Sequence, residues 1–241
     1  VFDWAGTTVD YGCFAPLKGF IDAFASKGVA LTPAEAMGPM GLLKIDHIRA
    51  LAAIPHINAE LEQKLGRPVN DTDINELYHV FEDTLLENLV AYSTVKPYVV
   101  ETVAALRKQG IRIGSTSGYT RAMMDKITEH VAKQGYAPDC CVCADEVTRG
   151  RPYPYMMWKN MSDLDVADPR HVVKVGDTVS DIKEGVSADA WTVGVVMGSS
   201  ELGLNEDEVR SLSPEELLAL KKETFARFYE AGADYVIDDM R

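Results

Sequence analysis

Four short segments of this chain carry side chains that could act together on an anionic group. Val1-Phe2-Asp3-Trp4-Ala5-Gly6-Thr7-Thr8-Val9-Asp10 ends an apolar run on an Asp and follows it with a small, hydroxyl-rich turn. A carboxylate at the C-terminal end of a parallel strand faces the crevice where α/β sheets bind ligands. Capping the next helix is the other common use of such an Asp. Lys174-Val175-Gly176-Asp177-Thr178-Val179-Ser180-Asp181 repeats strand, tight turn and acid. Asp177 there suits a metal ligand, and Asp181 either orients neighbouring groups or caps the following helix. Between these lie Ser115-Thr116-Ser117-Gly118-Tyr119 after a strand and Gly150-Arg151-Pro152-Tyr153-Pro154 before a helix. Ser117 with its neighbouring amides can bind phosphoryl oxygens, and Arg151 can neutralise charge that builds on them.

The surrounding pattern supplies elements to hold these residues. Short apolar runs at 1–2, 111–115, 140–143, 172–175 and 191–196 read as buried parallel strands, with 235–237 as a sixth. Helical periodicity at 100–108, 121–133 and 214–229 alternates with them, which predicts an α/β fold with a Rossmann-like, doubly wound parallel sheet. Ser213-Pro214-Glu215-Glu216 is a helix start with N-cap, Pro at the first position and a capping box. From about Phe14 to Tyr92 the apolar residues keep helical spacing with hardly a β-branched run, so an all-helical insert is expected. Thr32-Pro33-Ala34-Glu35 is a second capping box, Gly28 can end the first insert helix, and Lys96-Pro97 marks the return to the sheet. The predicted division is a core of residues 1–13 and 95–241 with a helical cap of residues 14–94. The opening Val1-Phe2-Asp3 has no Met and reads as the end of a strand whose beginning is trimmed, and Tyr235-Val236-Ile237 suggests the same at the other end.

Composition narrows the partners. The 241 residues are 46% hydrophobic and 25% charged, the balance of a folded soluble chain. A formal net charge of -13 and a pI near 4.8 argue against nucleic acid or an anionic membrane surface, both of which need a basic face. An anionic small molecule therefore has to be held locally, by a few Lys or Arg, a cation or backbone amides. Cys140, Cys141 and Cys143 crowd one strand-like run and read as strand packing, so a reduced, cytoplasmic protein is expected. No uninterrupted apolar stretch reaches the ~18 residues of a membrane span.

In this order, each after a strand or before a helix, the four segments resemble the four motifs of the haloacid dehalogenase superfamily. That resemblance implies that Asp3 is a nucleophile forming an aspartyl phosphate. It also implies that Mg²⁺ is held by Asp3, the Ala5 carbonyl and Asp177. The superfamily's phosphatases carry an Asp two residues after the nucleophile, which protonates a leaving oxygen; this chain has Ala5 there. Ester chemistry is thereby disfavoured, and a carbon leaving group would need an electron sink. A lysine condensed with a neighbouring aldehyde provides one, because the carbon then departs as an enamine.

Met40-Gly41-Leu42-Leu43-Lys44-Ile45-Asp46-His47 offers that lysine. Leu42, Leu43, Ile45, Ile48 and Leu51 give the expected helix an apolar side, with Lys44 and His47 sharing another face. A place in the first turn, with partial burial, lowers the pKa of Lys44. Together, Asp3-Trp4-Ala5-Gly6-Thr7-Thr8, Pro39-Met40-Gly41-Leu42-Leu43-Lys44, Gly118-Tyr119-Thr120-Arg121, the Arg151 segment and the Asp177 segment resemble the phosphonoacetaldehyde hydrolase family over essentially the whole chain. The resemblance implies carbon–phosphorus cleavage through a Lys44 Schiff base, with supporting roles for Cys13, Met40, His47, Ser117, Gly118, Tyr119, Arg151 and Asp181, and a homodimer joined through the cap. The alternatives are a phosphatase or mutase of the same fold, disfavoured by Ala5, and a non-catalytic receiver domain, disfavoured by the cap and Arg151-Pro152.

Overall fold

The computed structural model describes residues 1–241. Five parallel strands, β1 (Gly114–Ser117), β2 (Cys140–Cys143), β3 (Val173–Gly176), β4 (Trp191–Val195) and β5 (Tyr235–Ile237), surround the N-terminal segment. Phe2 bridges in parallel to Ser115 of β1 and to Val175 of β3, so the spatial order is β2–β1–Phe2–β3–β4–β5. Chain order thus runs outward in both directions from Phe2. This makes Phe2 the switch point of a doubly wound sheet, and Asp3 sits at the mouth of the crevice there.

The first strand after the insert starts later than its apolar signal at 111. Ile111 is exposed, Ile113 gives its N–H to the Asp139 carboxylate at 2.7 Å, and pairing with β2 begins at Gly114↔Cys140. The remaining strands keep to within one residue of expectation at each end.

Between the first bridge and β1 come five helices of the insert, α1 (Phe14–Ser26), α2 (Pro33–Met37), α3 (Lys44–Ala52), α4 (Pro55–Leu65) and α5 (Asp71–Asn88), then α6 (Val99–Lys108). Helix α1 buries Leu17, Phe20, Ala23 and Phe24, and α5 buries Ile74, Leu77, Phe81 and Leu85, each set at three- and four-residue spacing. The two stripes meet, with the Phe20 and Phe81 rings stacked 4.4 Å apart. Burying each such ring contributes roughly 1.5–3 kcal/mol. The capping boxes at Thr32 and Ser213 form as their sequences require, and Gly28, at φ +74, follows the end of α1.

The C-terminal half adds α7 (Arg121–Lys133), α8 (Tyr155–Asp163), α9 (Val179–Ser187), α10 (Glu206–Ser211) and α11 (Pro214–Glu230). Helix α8 packs on β1 and β2, α9 on β3 and β4, and α11 on β5. No helix is long and apolar enough to cross a membrane.

The insert leaves and rejoins the sheet through two strands of chain tied to each other. Asp10 N donates to Thr94 O at 3.1 Å, Lys96 N donates to Thr8 O at 2.9 Å, and Val9 bridges Val95. Asp10 also caps α1, accepting from Phe14 N and Ala15 N at 3.0 and 2.9 Å. Buried Lys96 donates from Nζ to the carbonyls of Gly6 and Met197, which fastens the returning chain to the loop after Asp3.

Candidate active site

At the carboxyl ends of the central strands three acids come together. Oxygens of Asp3, Asp177 and Asp181, all buried, lie within 4.8 Å of one another. Asp3 is fixed by its N–H to Val175 O at 2.9 Å. The chain then doubles back at Gly6, whose φ of +86 suits glycine; a side chain there would run into the Asp177 carboxylate. Asp177 Oδ1 accepts from Thr7 at 2.7 Å, and Oδ2 accepts from Ser200 N and Oγ at 2.9 and 2.7 Å.

Burial, reinforced by the charges of Asp3 and Asp181, pushes Asp177 up to about 7, and burial likewise raises Asp3. Burial also opposes ionisation of Asp181, but Arg151 and Lys174 beside it hold its carboxyl below the usual range. The fully buried Glu184 adds a fourth acid to this region, whose cations are Arg151 and Lys174. Lys96, also buried and close enough to act on Asp177 and Asp3, is a third basic group, so four carboxyl groups still outnumber the basic groups in a desolvated place. An all-oxygen donor set with that surplus fits a hard divalent cation.

Above the acids lies a small cavity of about 20 Å³, room for roughly one water. Asp3, Ala5, Ser117, Gly118 and Arg151 face it from the sheet side. Cys13, Lys44 and Tyr119 close it together with Gly41 and Thr178. Asp177 and Asp181 sit below it, while Met40 and His47 are buried but do not line it. Arg151 reaches Asp3 Oδ1 at 2.5 Å, and Ser117 Oγ accepts from Tyr119 N at 3.1 Å. Asp181, the third residue of α9, accepts from Thr178 N and Oγ1 through Oδ2 and turns Oδ1 to Arg151 and Lys174. It therefore caps and orients at once.

Lys44 departs from the expected helix pattern. Helix α3 begins at Lys44 itself, with Leu43 as N-cap and Leu42 in the preceding turn, and its buried face is Lys44, His47, Ile48, Leu51 and Ala52. The polar pair is therefore part of the apolar face, and Ile45 is only half-buried. Lys44 Nζ has neither a hydrogen bond nor an ion pair; the rings of Tyr119 and Phe20 stand 5.3 and 5.8 Å away. Burial lowers its pKa.

His47 stacks on Phe20 at 3.8 Å and contacts the Ala36 carbonyl through Nε2 at 2.9 Å. A carbonyl only accepts, so Nε2 carries the hydrogen and Nδ1 is a buried lone pair without a partner. Burial first, and then the neighbouring Lys44, keep this imidazole well below the usual histidine range. The Tyr119 hydroxyl is also buried without a partner.

The haloacid dehalogenase-like hydrolase family matches residues 1–189. The chain belongs to that family. It is 51% identical over 241 residues to phosphonoacetaldehyde hydrolase of Bacillus cereus (strain ATCC 10987 / NRS 248), spanning all of this chain and 91% of that protein. It is 52% identical over 240 residues to a bifunctional phosphonoacetaldehyde hydrolase/aminoethylphosphonate transaminase of Clostridioides difficile (strain 630), covering 100% of this chain and 38% of that one. Among solved structures, a phosphonoacetaldehyde hydrolase-like protein from Oleispira antarctica superposes with a TM-score of 0.96 at 36% identity, over 99% of this chain and 86% of that one. A haloacid dehalogenase-like hydrolase structure from Bacteroides fragilis shows likeness of fold alone, with a TM-score of 0.71 at 18% identity over 99% of this chain and 95% of that one.

Thr7, Ser200, Gly41 and Thr178 were not singled out by sequence reasoning. The glycine in Met40-Gly41-Leu42 was the available signal. Its φ is +86, and a Cβ on it would stand 2.5 Å from Thr178 Oγ1, so it is where the insert settles on the loop after β3. Gly41→Val should hold that contact apart and lower hydrolytic turnover about 100-fold, the scale of a 1 Å misplacement of reacting groups. Steady-state kinetics on the folded variant would show wild-type turnover if this seat were dispensable.

Proposed function

We propose that this hydrolase cleaves the carbon–phosphorus bond of phosphonoacetaldehyde, giving acetaldehyde and phosphate, with Lys44 as the imine-forming amine and Asp3 as the nucleophile at phosphorus. The observation that carries the reading is the Lys44 amine: it is buried, without a counter-ion, and opens into the same cavity as Asp3 and Arg151. Relatives named for this activity at 51–52% identity over the whole chain support the assignment. Ala5 in the cavity wall, in place of an acid, speaks against the phosphatase or mutase alternative.

In the proposed reaction Lys44 Nζ adds to the aldehyde carbon and water is lost, leaving a protonated imine. The His47 Nδ1 lone pair and the Tyr119 hydroxyl, both unpartnered, are the groups available to move protons behind that addition. Arg151 and Ser117 hold the phosphonate oxygens. An Asp3 oxygen then bonds to phosphorus as the carbon departs with its electron pair, which the imine accepts to become an enamine. Protonation and hydrolysis of the enamine's imine form release acetaldehyde and restore Lys44. A second water attacks the aspartyl phosphate and restores Asp3, so one water is consumed overall.

Asp3, Asp177 and the Ala5 carbonyl are the groups proposed to hold Mg²⁺, which would draw charge from the phosphonate oxygens. With so small a cavity, substrate entry requires the insert to lift. Residues 14–94 are accordingly proposed as a cap moving on a core of 1–13 and 95–241, about the paired linkers near Cys13 and Lys96.

The raised pKa of Asp177 sets a pH dependence for the cation. Without metal the group holds a proton below about 7. A cation must displace that proton, so Mg²⁺ affinity should weaken by up to ~10-fold per pH unit below that point and level off above it. Calorimetric titration of Mg²⁺ at pH 6 in two buffers of different ionisation heat should reveal proton release, and at pH 8 little. Equal affinity at both pH values would contradict the assignment of the acids.

The function itself is tested by measuring both products. Wild-type protein should release acetaldehyde and phosphate one to one from phosphonoacetaldehyde and turn over a phosphate monoester far more slowly. Lys44→Arg keeps the charge but cannot condense. We expect a loss of at least ~10³-fold, about 4 kcal/mol of transition-state stabilisation. Preference for the ester, or an active Lys44→Arg protein, would move the chain to the phosphatase reading.

A further inference from the structure

Arg151 has five N–H groups, and most of them are already taken by protein. Nη2 donates to Asp3 Oδ1 at 2.5 Å, to Thr116 Oγ1 at 2.8 Å and to Thr116 O at 3.2 Å. Nε donates to Glu184 Oε2 at 3.0 Å. Nη1, 3.2 Å from Asp181 Oδ1, is the nitrogen with a hydrogen to spare for an incoming oxygen. The direction of that hydrogen is set by the guanidinium plane, and Glu184 at Nε gives that plane a hold separate from the contacts at Nη2.

Glu184 and Lys174 are both fully buried, and neither lines the cavity. Lys174 Nζ lies 2.9 Å from Glu184 Oε2 and 2.8 Å from Asp181 Oδ1, and donates to Thr116 Oγ1 at 2.6 Å. The Lys174 amine thus bridges two neighbouring carboxylates. Stability gives no reason for such a pair, because buried ion pairs can usually be exchanged for apolar residues at little loss. Orientation does. Asp3 and Thr116 hold Arg151 through the single nitrogen Nη2, and the Asp3 share of that hold is lost when its oxygens bond to phosphorus, whereas Glu184 adds a separate hold at Nε that persists.

We propose that Glu184, braced by Lys174, is the positioning residue that aims the Arg151 guanidinium at the anionic oxygens of the substrate. This rests on Arg151 meeting those oxygens, as in the reaction above, so the test reads anion binding separately from turnover. Inorganic phosphate is the probe, titrated into the Mg²⁺-loaded protein by calorimetry, with phosphonoacetaldehyde kinetics measured alongside.

Glu184→Asp keeps every charge but withdraws the carboxylate by one methylene. Glu184→Met/Lys174→Met removes the pair with no change in net charge and keeps the protein folded if the single variant does not. Both should bind phosphate ~10-fold more weakly and lower kcat ~30-fold, within the range that loss of an orienting partner produces. In an Arg151→Lys background, which has no Nε–H, the same changes should add less than ~3-fold. Wild-type phosphate affinity in either folded variant, or a loss that persists in full with Arg151→Lys, would overturn the assignment. Normal phosphate coupling with no phosphonoacetaldehyde turnover in the wild type would instead sink the proposed substrate and leave the positioning role standing.

Discussion

A primary amine in water near neutral pH carries a proton and cannot attack a carbonyl, so a lysine nucleophile depends on being withdrawn from water without being given a counter-ion. In the proposed reaction Lys44 has to meet that condition, and it is buried with no ion pair. The sheet cannot do it, because its carboxyl ends open to solvent. Helices α1, α3 and α5 do it instead, packing Phe20, Phe81 and His47 into a stack against which the lysine stem lies. The same closure that buries the amine leaves a cavity of about 20 Å³, which is why movement of the insert is proposed as part of turnover. The paired linkers meet next to the site: Lys96 joins the returning chain to the Gly6 carbonyl, one residue beyond Ala5.

The opposite condition holds a few ångströms away. Asp3, Asp177, Asp181 and Glu184 are as deeply buried as Lys44, yet each has donors or cations around it. Arg151 and Lys174 pair with Asp181 and Glu184, and the excess falls on Asp3 and Asp177, the two of these acids whose pKa values are raised. The protein thus separates a desolvated amine of lowered pKa on the helical side from a cation-demanding carboxylate cluster on the sheet side. Combining an amine with an aldehyde while a carboxylate attacks phosphorus needs that separation, since a free lysine beside free carboxylates would simply form an ion pair.

How much of this the sequence disclosed depends on the range of the interaction involved. Asp3, Ser117 and Asp177 were legible because each follows a short apolar run, and a residue at the carboxyl end of a parallel strand must face the crevice. The caps at Thr32 and Ser213 were legible because they span only three residues. Lys44 and His47 were found as a pair but placed on the wrong face, since periodicity counts both as polar, and only the stacked Phe20 ring makes the position habitable. Ile111 misled in the opposite sense, as an apolar residue left exposed at a strand's entrance. Thr7, Ser200, Lys174 and Glu184 act through partners from 7 to 170 positions away, on separate elements, and no local pattern marks them.

The central claim is that Lys44 bonds covalently to the substrate's aldehyde carbon. Borohydride reduces a protonated imine to a stable amine, so protein treated with phosphonoacetaldehyde and borohydride together should lose activity irreversibly and carry a single two-carbon-derived adduct on the peptide containing Lys44, while borohydride alone should leave it active. An adduct on a different lysine, or full activity and no adduct after reduction in the presence of substrate, would contradict the account.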